Sequence, residues 1–489
     1  MEKTFIRRFI KDTALTSLGT SASVVLQFIS IIALTRYLPK EALGLYFLVL
    51  AAVHILAVIA GLGLDLTQVR ILSMNDGKKA AAWGPIAFSR IIATGMIGAA
   101  LLFWGGIVFP IIDARIADYQ LLVAGIFIMT SLRNLFYHTL QGFRLFGHFA
   151  WIQSSSALFR LLLIIGLIVT DNATLASVLF IEMVVPAGAV LAMLPCIPFG
   201  RLSMRINSRY QWASLFRFST PIYLNNMLTV IMDRANVMLM GILLNLQSVA
   251  IYEVAGKLSE GFVRIFRAFI VVYFPNLSRL FATVEKKDAE TLLNQSLGIL
   301  SAGISLLVLG IFLFRETIVV FLFSHEYRDA ALPLFLMVVN FHLQAMSNIL
   351  GYSVVSAGYS SVPVKVNTLS SMMLVGGGVL LIPVFGVIGA IMALFAMNLT
   401  SQGLYVYFLI KAKINIRVLD YAKPLLIVAM VCGLNYYLDK DGTFFQAGFI
   451  LLYAGLSWLF VSQWKVLAKG LLNMVLQITR RVSDERSAR

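Results

Sequence analysis

The segment Asp233–Pro275, DRANVMLMGILLNLQSVAIYEVAGKLSEGFVRIFRAFIVVYFP, decides how the rest of the chain is read. It contains the end of one apolar helix, a short turn near Asn245 to Ser248, and a second helix that carries a line of charge. On that second helix Glu253, Lys257, Glu260, Arg264 and Arg267 are spaced by 4, 3, 4 and 3 residues. This spacing puts all five on one helical face, over roughly 21 Å at 1.5 Å per residue. The residues around them are apolar or small. A charged stripe on a membrane helix cannot face lipid, so it must face other helices or water. The stripe predicts a polar cavity inside the bilayer.

Working outward, 60% of the 489 residues are hydrophobic and only 13% are charged, with a mean hydropathy of +0.88. The apolar residues come in long runs, which no soluble protein of this size requires. About 14 segments approach the ~20 residues that a bilayer demands. They are 13–37, 42–64, 86–110, 119–139, 150–170, 174–195, 213–243, 249–275, 295–314, 331–355, 361–383, 386–410, 422–438 and 443–464. The expected fold is an all-α integral membrane protein.

Charge in the loops sets the expected orientation. With both termini cytoplasmic, most of the 39 Lys and Arg fall inside. Lys3, Arg7, Arg8 and Lys11 lie there, as do the clusters in Arg201–Arg209, Lys411–Lys423 and Lys465–Arg489. The external turns hold only Arg36, Lys40, Arg115, Arg315, Arg328 and Lys440. Such a bias is the ordinary signature of membrane insertion. The net charge of +16 therefore calls for no nucleic acid. Cys196 and Cys432 sit in or beside apolar spans, so neither a disulfide framework nor a metal site is expected. The first span is too long for a removed signal peptide and reads as a permanent helix.

Local patterns recur in order along the chain. The first two spans contain Thr35–Leu38 (TRYL), Gly44–Tyr46 (GLY) and Gly61–Gly63 (GLG). Later come LQGFRLFGHFAWIQSSSALFRLLLI at Leu140–Ile164, an Asp…Gly…Tyr-x-x-Ala series at Asp233, Gly241, Tyr252 and Ala255, and FLFSHEYRDAALPLF at Phe321–Phe335. The series ends with LLIPVFGVIGAIMA at Leu380–Ala393. This order resembles the Wzx-type polysaccharide flippases of the multidrug/oligosaccharidyl-lipid/polysaccharide exporter superfamily, over roughly residues 13–411. An internal repeat points the same way without the resemblance. Pairing Tyr46 with Tyr252 superposes Leu45 on Ile251, Gly44 on Ala250, Leu43 on Val249 and Leu34 on Met240. Parallel repeats of this kind build transporters with the substrate site between the halves. The expected layout is two six-helix lobes, 1–200 and 201–418, around a central polar cavity. An extra helix pair and a basic cytoplasmic tail follow at 419–489.

No phosphate-cradling GxxxxGK[ST] motif occurs, so the chain itself does not hydrolyse ATP. The five His show no metal-ligand spacing. External loops are short, the longest being expected near Arg315 to Asp329, which leaves little room for a membrane glycosyltransferase or polymerase site. Among the charges within spans, Arg90, Arg133 and Arg217 lie near the cytoplasmic edge and can snorkel. Arg160, Arg234, Lys257, Arg264 and Arg267 are the candidate substrate-binding cations, which need partners or a wet cavity. Against this stands internal pairing: Glu253–Lys257 and Glu260–Arg264 are both i,i+4 pairs in the favoured order. Asp233 beside Arg234 reads as a local pair or as an acid that takes a coupling proton. Glu253 and Glu260 share those two readings.

The resemblance implies export of undecaprenyl-diphosphate-linked oligosaccharide units across the bacterial cytoplasmic (inner) membrane, for surface polysaccharide assembly. It implies no cofactor, coupling to a proton or sodium gradient, and contact with membrane lipids, a polysaccharide polymerase and chain-length proteins. Deep cations suit a diphosphate, because the Arg fork binds phosphate oxygens in pairs. Three rival readings fit the residues less well. A multidrug antiporter commonly has a carboxylate in its first helix, but Thr13 to Thr35 contains no acid. A peptidoglycan-precursor flippase places arginines within its first two helices, whose interiors here have none. A membrane glycosyltransferase or ligase needs more external chain. The orientation yields the first expected outcome. Cysteines introduced at Lys40, Gln247 and Lys440 label from outside the cell, and ones at Lys78, Lys287 and Arg489 do not. Reversed labelling throughout sinks the orientation.

Overall fold

The computed structural model describes residues 2–74, 83–202, 209–283, 286–438 and 443–460, and the elements among them are helices. In chain order these are α1 (Glu2–Tyr37), α2 (Lys40–Gly61), α3 (Leu64–Met74), α4 (Trp83–Ile112), α5 (Gln120–Gly142), α6 (Phe146–Val169) and α7 (Leu175–Met193). They continue with α8 (Arg209–Leu243), α9 (Leu246–Ala282), α10 (Lys286–Phe323), α11 (Ala331–Ser356), α12 (Val362–Lys411), α13 (Val418–Leu438) and α14 (Thr443–Phe460). Among the described residues, 11 helices are long and apolar enough to cross a membrane. The protein is a multi-pass membrane protein. Phe103, Trp104, Ile107 and Ile111 of α4 are exposed, as lipid-facing side chains must be.

Three details depart from the sequence-based spans. The chain after α2, outside the expected spans, forms an 11-residue helix, α3, entered through two left-handed residues, Leu62 and Gly63. Helix α10 runs 38 residues to Phe323, so the external loop expected from Arg315 is mostly helix. The run ETIVVFLF keeps helical periodicity there, and Glu316 reaches Arg328 at 2.7 Å. Helix α12, 50 residues long, is two limbs broken at Gly386, whose φ of 58° and ψ of −134° lie outside helical space. The limbs fold back on one another. Ser370 and Ser401 are hydrogen-bonded at 2.7 Å, and Gly389 packs against the Leu381 carbonyl.

The chain forms two compact units. One comprises Met1–Lys257, Leu322–Tyr327 and Leu374–Ala390; the other comprises Leu258–Phe321, Arg328–Met373 and Ile391–Arg489. The hydrophobic effect does not drive helices together in lipid, so close backbone approach and polar bonds do that work. In the first unit α1 meets α6 where Gly19 faces Ala150 and the Ser154 hydroxyl donates to the Gly19 carbonyl at 3.0 Å. In the second, α9 and α11 are joined by Tyr273–Ser353 at 2.8 Å and Ser278–Ser356 at 2.9 Å. There the Ser301 hydroxyl of α10 donates to the Tyr421 carbonyl of α13 at 2.5 Å and lies 2.8 Å from His342 of α11.

The turns that end α1 and α8 meet. Glu41 and Gln247 are bonded side chain to side chain, and their separation of 206 residues equals that of Tyr46 and Tyr252. Beside them the α2 backbone at Gly44 presses on Leu246. A methyl placed on Gly44 would sit 1.9 Å from the Leu246 carbonyl oxygen. Alanine would favour the helix by about 1 kcal/mol, but displacing backbone costs about 1–3 kcal/mol. Gly44→Ala therefore lowers the thermal unfolding midpoint of the detergent-solubilised protein. Gly95→Ala in α4, where nothing lies within 4 Å, leaves it unchanged or raised.

Candidate functional site

Within the first unit lies a polar cavity of about 400 Å³. Its walls come from helical faces at three- and four-residue spacing. Helix α5 presents Ile126, Thr130, Arg133 and Tyr137; α6 presents Gln153, Ser156, Ala157 and Arg160. Helix α2 adds Tyr46, Phe47, Leu50, Val53 and His54, and α1 adds Gln27 and Ile31. Glu182, Val185 and Pro186 come from α7, Arg234 from α8, and Glu253 and Lys257 from α9. Four permanent cations thus share the cavity with two carboxylates.

Both carboxylates are already engaged. Glu182 Oε1 accepts from Arg160 Nε at 2.6 Å and from the Tyr46 hydroxyl at 2.8 Å, while Arg160 Nη2 donates to the Tyr46 oxygen at 2.6 Å. This triangle ties α2, α6 and α7 together. It commits two of the five N–H donors that a guanidinium carries. Glu253 Oε2 lies 3.0 Å from Lys257 Nζ on the same helix, and its Oε1 lies 3.6 Å from Arg234 Nη1 on α8. Lys257 also stands 5.9 Å above the Phe47 ring. Pairing still leaves donors over. Arg133 Nε and Arg234 Nε are buried without a hydrogen-bond partner among the described residues. Buried donors of that kind are expensive unless a ligand or water meets them. The wall carries more positive than negative groups.

A family described as polysaccharide biosynthesis protein matches residues 9–281, more than half of the chain. The chain belongs to that family. The fold is shared with solved transporters at low sequence identity. The lipid II flippase MurJ, in an inward closed conformation, aligns over 94% of this chain and 100% of its own, with 13% identity and a TM-score of 0.70. An inward-facing multidrug resistance MATE family transporter of the MOP superfamily covers 79% of this chain and 93% of its own, at 15% identity and a TM-score of 0.65. The Vibrio cholerae MATE transporter VcmN covers 84% and 98%, at 12% identity and a TM-score of 0.57. A comparison with curated protein sequences gives no match. The comparisons thus give this chain its family and the fold that it shares with those flippase and transporter structures.

Of the residues singled out in the sequence, Arg160, Arg234, Lys257 and Glu253 are brought together in the cavity. Glu253 and Lys257 form the i,i+4 pair that their spacing allows. Arg234 turns to Glu253 across the helices, while Asp233 and Glu260 are exposed. The side chains of Arg264 and Arg267 lie outside the described residues. Arg133 does not snorkel but lines the cavity, and Arg90 is buried against Asp65 at 2.7 Å. Tyr46, His54, Glu182, Gln27 and Gln153 were not singled out as binding residues. The 4, 3, 4 spacing of Ile126, Thr130, Arg133 and Tyr137 was the signal available for Arg133.

The Arg160 triangle carries a stability consequence. Removing one member of a buried ion pair costs about 3–5 kcal/mol, because the other charge is stranded; removing both is far milder. Glu182→Leu therefore unfolds at a much lower temperature than the parent in detergent. The triple variant Tyr46→Phe, Arg160→Leu, Glu182→Leu recovers most of the loss. Equal destabilisation in both shows that the triangle is not a self-contained unit.

Proposed function

We propose that this transporter flips undecaprenyl-diphosphate-linked oligosaccharide repeat units from the cytoplasmic to the outer face of the bacterial inner membrane, for surface polysaccharide assembly. The observation that carries the reading is the excess of cations in a cavity inside an otherwise apolar bundle. A diphosphate in hydrocarbon costs tens of kcal/mol. A wet cationic cavity removes that barrier while the polyprenyl tail remains in lipid. The volume, about 400 Å³, falls within the range of small-ligand sites and suits a diphosphate with its adjoining sugar. Arg133 and Arg234 supply unpartnered donors, and Arg160 and Lys257 supply charge already held in place. Arg264 and Arg267 continue the line of α9 and are proposed to meet the same headgroup. Glu253, Glu260 and Asp233 are proposed to pair with these cations or to take a coupling ion.

The same reading has the repeat halves, 1–200 and 201–418, rock to open the cavity to each side in turn, with both termini cytoplasmic. A proton or sodium gradient supplies the drive, and polysaccharide polymerase and chain-length proteins receive the product. Cationic drugs are a poor match for the positive excess. Helices α1 and α2 bring Gln27, Ile31, Tyr46, Phe47 and His54 to the cavity but no arginine.

The test is export in cells that depend on this chain. Arg133→Ala combined with Arg234→Ala lowers surface polysaccharide by about tenfold or more, since each lost charge-assisted bond is worth about 1.5–3 kcal/mol. Membrane levels of the protein stay normal. Lys at both positions restores only part of the export, since an ammonium keeps charge and loses the fork. Unimpaired export in the double alanine variant defeats the reading.

A further inference from the structure

A second cluster of ionisable groups lies outside the cavity, where α3, α4 and α5 meet. Arg90 Nη1 of α4 is 2.7 Å from Asp65 Oδ1 of α3, and the same oxygen is 3.1 Å from His138 Nδ1 of α5. The arginine side chain is 5% exposed, and the two partners are about a quarter exposed, at 24% and 25%. None of the three lines the cavity.

The contacts fix the histidine tautomer. His138 Nδ1 also lies 2.7 Å from the Asn134 carbonyl oxygen. A carbonyl and a carboxylate can only accept, so Nδ1 carries a hydrogen and Nε2 is the atom at which a second proton binds or leaves. With the ring neutral the cluster balances one Asp against one Arg. The charged groups acting on the ring are Asp65 of α3 and Arg90 of α4. The other ionisable groups facing α5, namely His54, Arg160, Glu182 and Arg234, line the cavity instead.

A proton from water bound at Nε2 would convert the ring to imidazolium and leave Asp65 shared between two cations on two helices. The backbone is arranged to respond. Asp65 follows Leu62 and Gly63, whose φ of 51° and 67° make the bend between α2 and α3. Gln68, one turn further on, accepts from Arg90 at 3.2 Å and donates to the Leu135 carbonyl and the Thr139 hydroxyl of α5 at 2.9 and 2.6 Å. His138 itself directly follows Tyr137 and lies five residues after Arg133, both in the cavity wall.

We propose that Asp65 and His138 form a proton-binding site separate from the substrate cavity, whose occupancy moves α3 against α5 and so links transport to a proton gradient. The site's purpose rests on the transport reading above, but its existence does not.

Two measurements on the purified full-length chain in lipid nanodiscs and vesicles separate these. The first is hydrogen exchange of α3, Leu64–Met74, between pH 5.5 and 7.5, corrected for intrinsic rates. The parent shows about a fivefold or larger change in protection across this range. His138→Gln and Asp65→Asn, both close in shape to the parent residues, reduce it to under about twofold. A parent with pH-independent exchange, or a pH response retained in both variants, overturns the site. The second measurement is flipping of a fluorescent undecaprenyl-diphosphate disaccharide in vesicles with and without an imposed pH gradient. The parent is accelerated by the gradient; His138→Gln flips at the ungraded rate under either condition. Acceleration retained in His138→Gln overturns the coupling. A parent that does not flip this probe at all counts against the substrate reading, while the exchange result still decides the site.

Discussion

A hydrocarbon slab tolerates no isolated charge, and nearly every polar feature of this chain is a response to that exclusion. Arg160 is enclosed by Glu182 and Tyr46, Arg234 and Lys257 converge on Glu253, and Arg90 is clamped to Asp65. Each arrangement crosses helices, so the pairings that make the charges tolerable also fix which helices sit together. Charge neutralisation and assembly are one problem here. At the cavity, Arg133 and Arg234 keep buried donors without partners among the described residues. Those donors are the part of the cavity wall that its own carboxylates leave unmet.

Several parts of this arrangement were legible in the sequence. Apolar runs near 20 residues mark helices because no other backbone conformation satisfies its own hydrogen bonds in lipid. The stripe on α9 announced a polar interior, and Glu253–Lys257 form the contact that their spacing permits. Depth was harder to read. Arg133 stands in a helix with no other ionised residue beside it, so its position along the axis pointed to snorkelling; the rotation of α5, set by packing, turns it to the cavity instead. The α2–α3 bend depends on two left-handed residues, one of them a leucine, which carries no sequence mark. Tyr46 and Glu182 lie 136 residues apart, and only the packing of α2 against α7 makes them one unit with Arg160.

The two ends of the first unit differ in kind. Around Asp65, Arg90, Gln68 and Thr139 the helices exchange bonds through side chains long enough to rearrange. At the α1–α2 and α8–α9 turns the approach is through bare backbone, Gly44 against Leu246, with little slack. A bundle joined stiffly at one end and adaptably at the other bends more readily at the adaptable end.

The Glu41–Gln247 contact has an implication for ancestry. Residues that correspond under an internal duplication and also touch lie on the axis relating the two halves, so in a newly doubled chain each such position would face its own copy. A glutamate facing a glutamate repels; a glutamate facing an amide binds. Under such a duplication identical glutamates could not persist there, so a symmetric ancestor should favour an uncharged residue at both places.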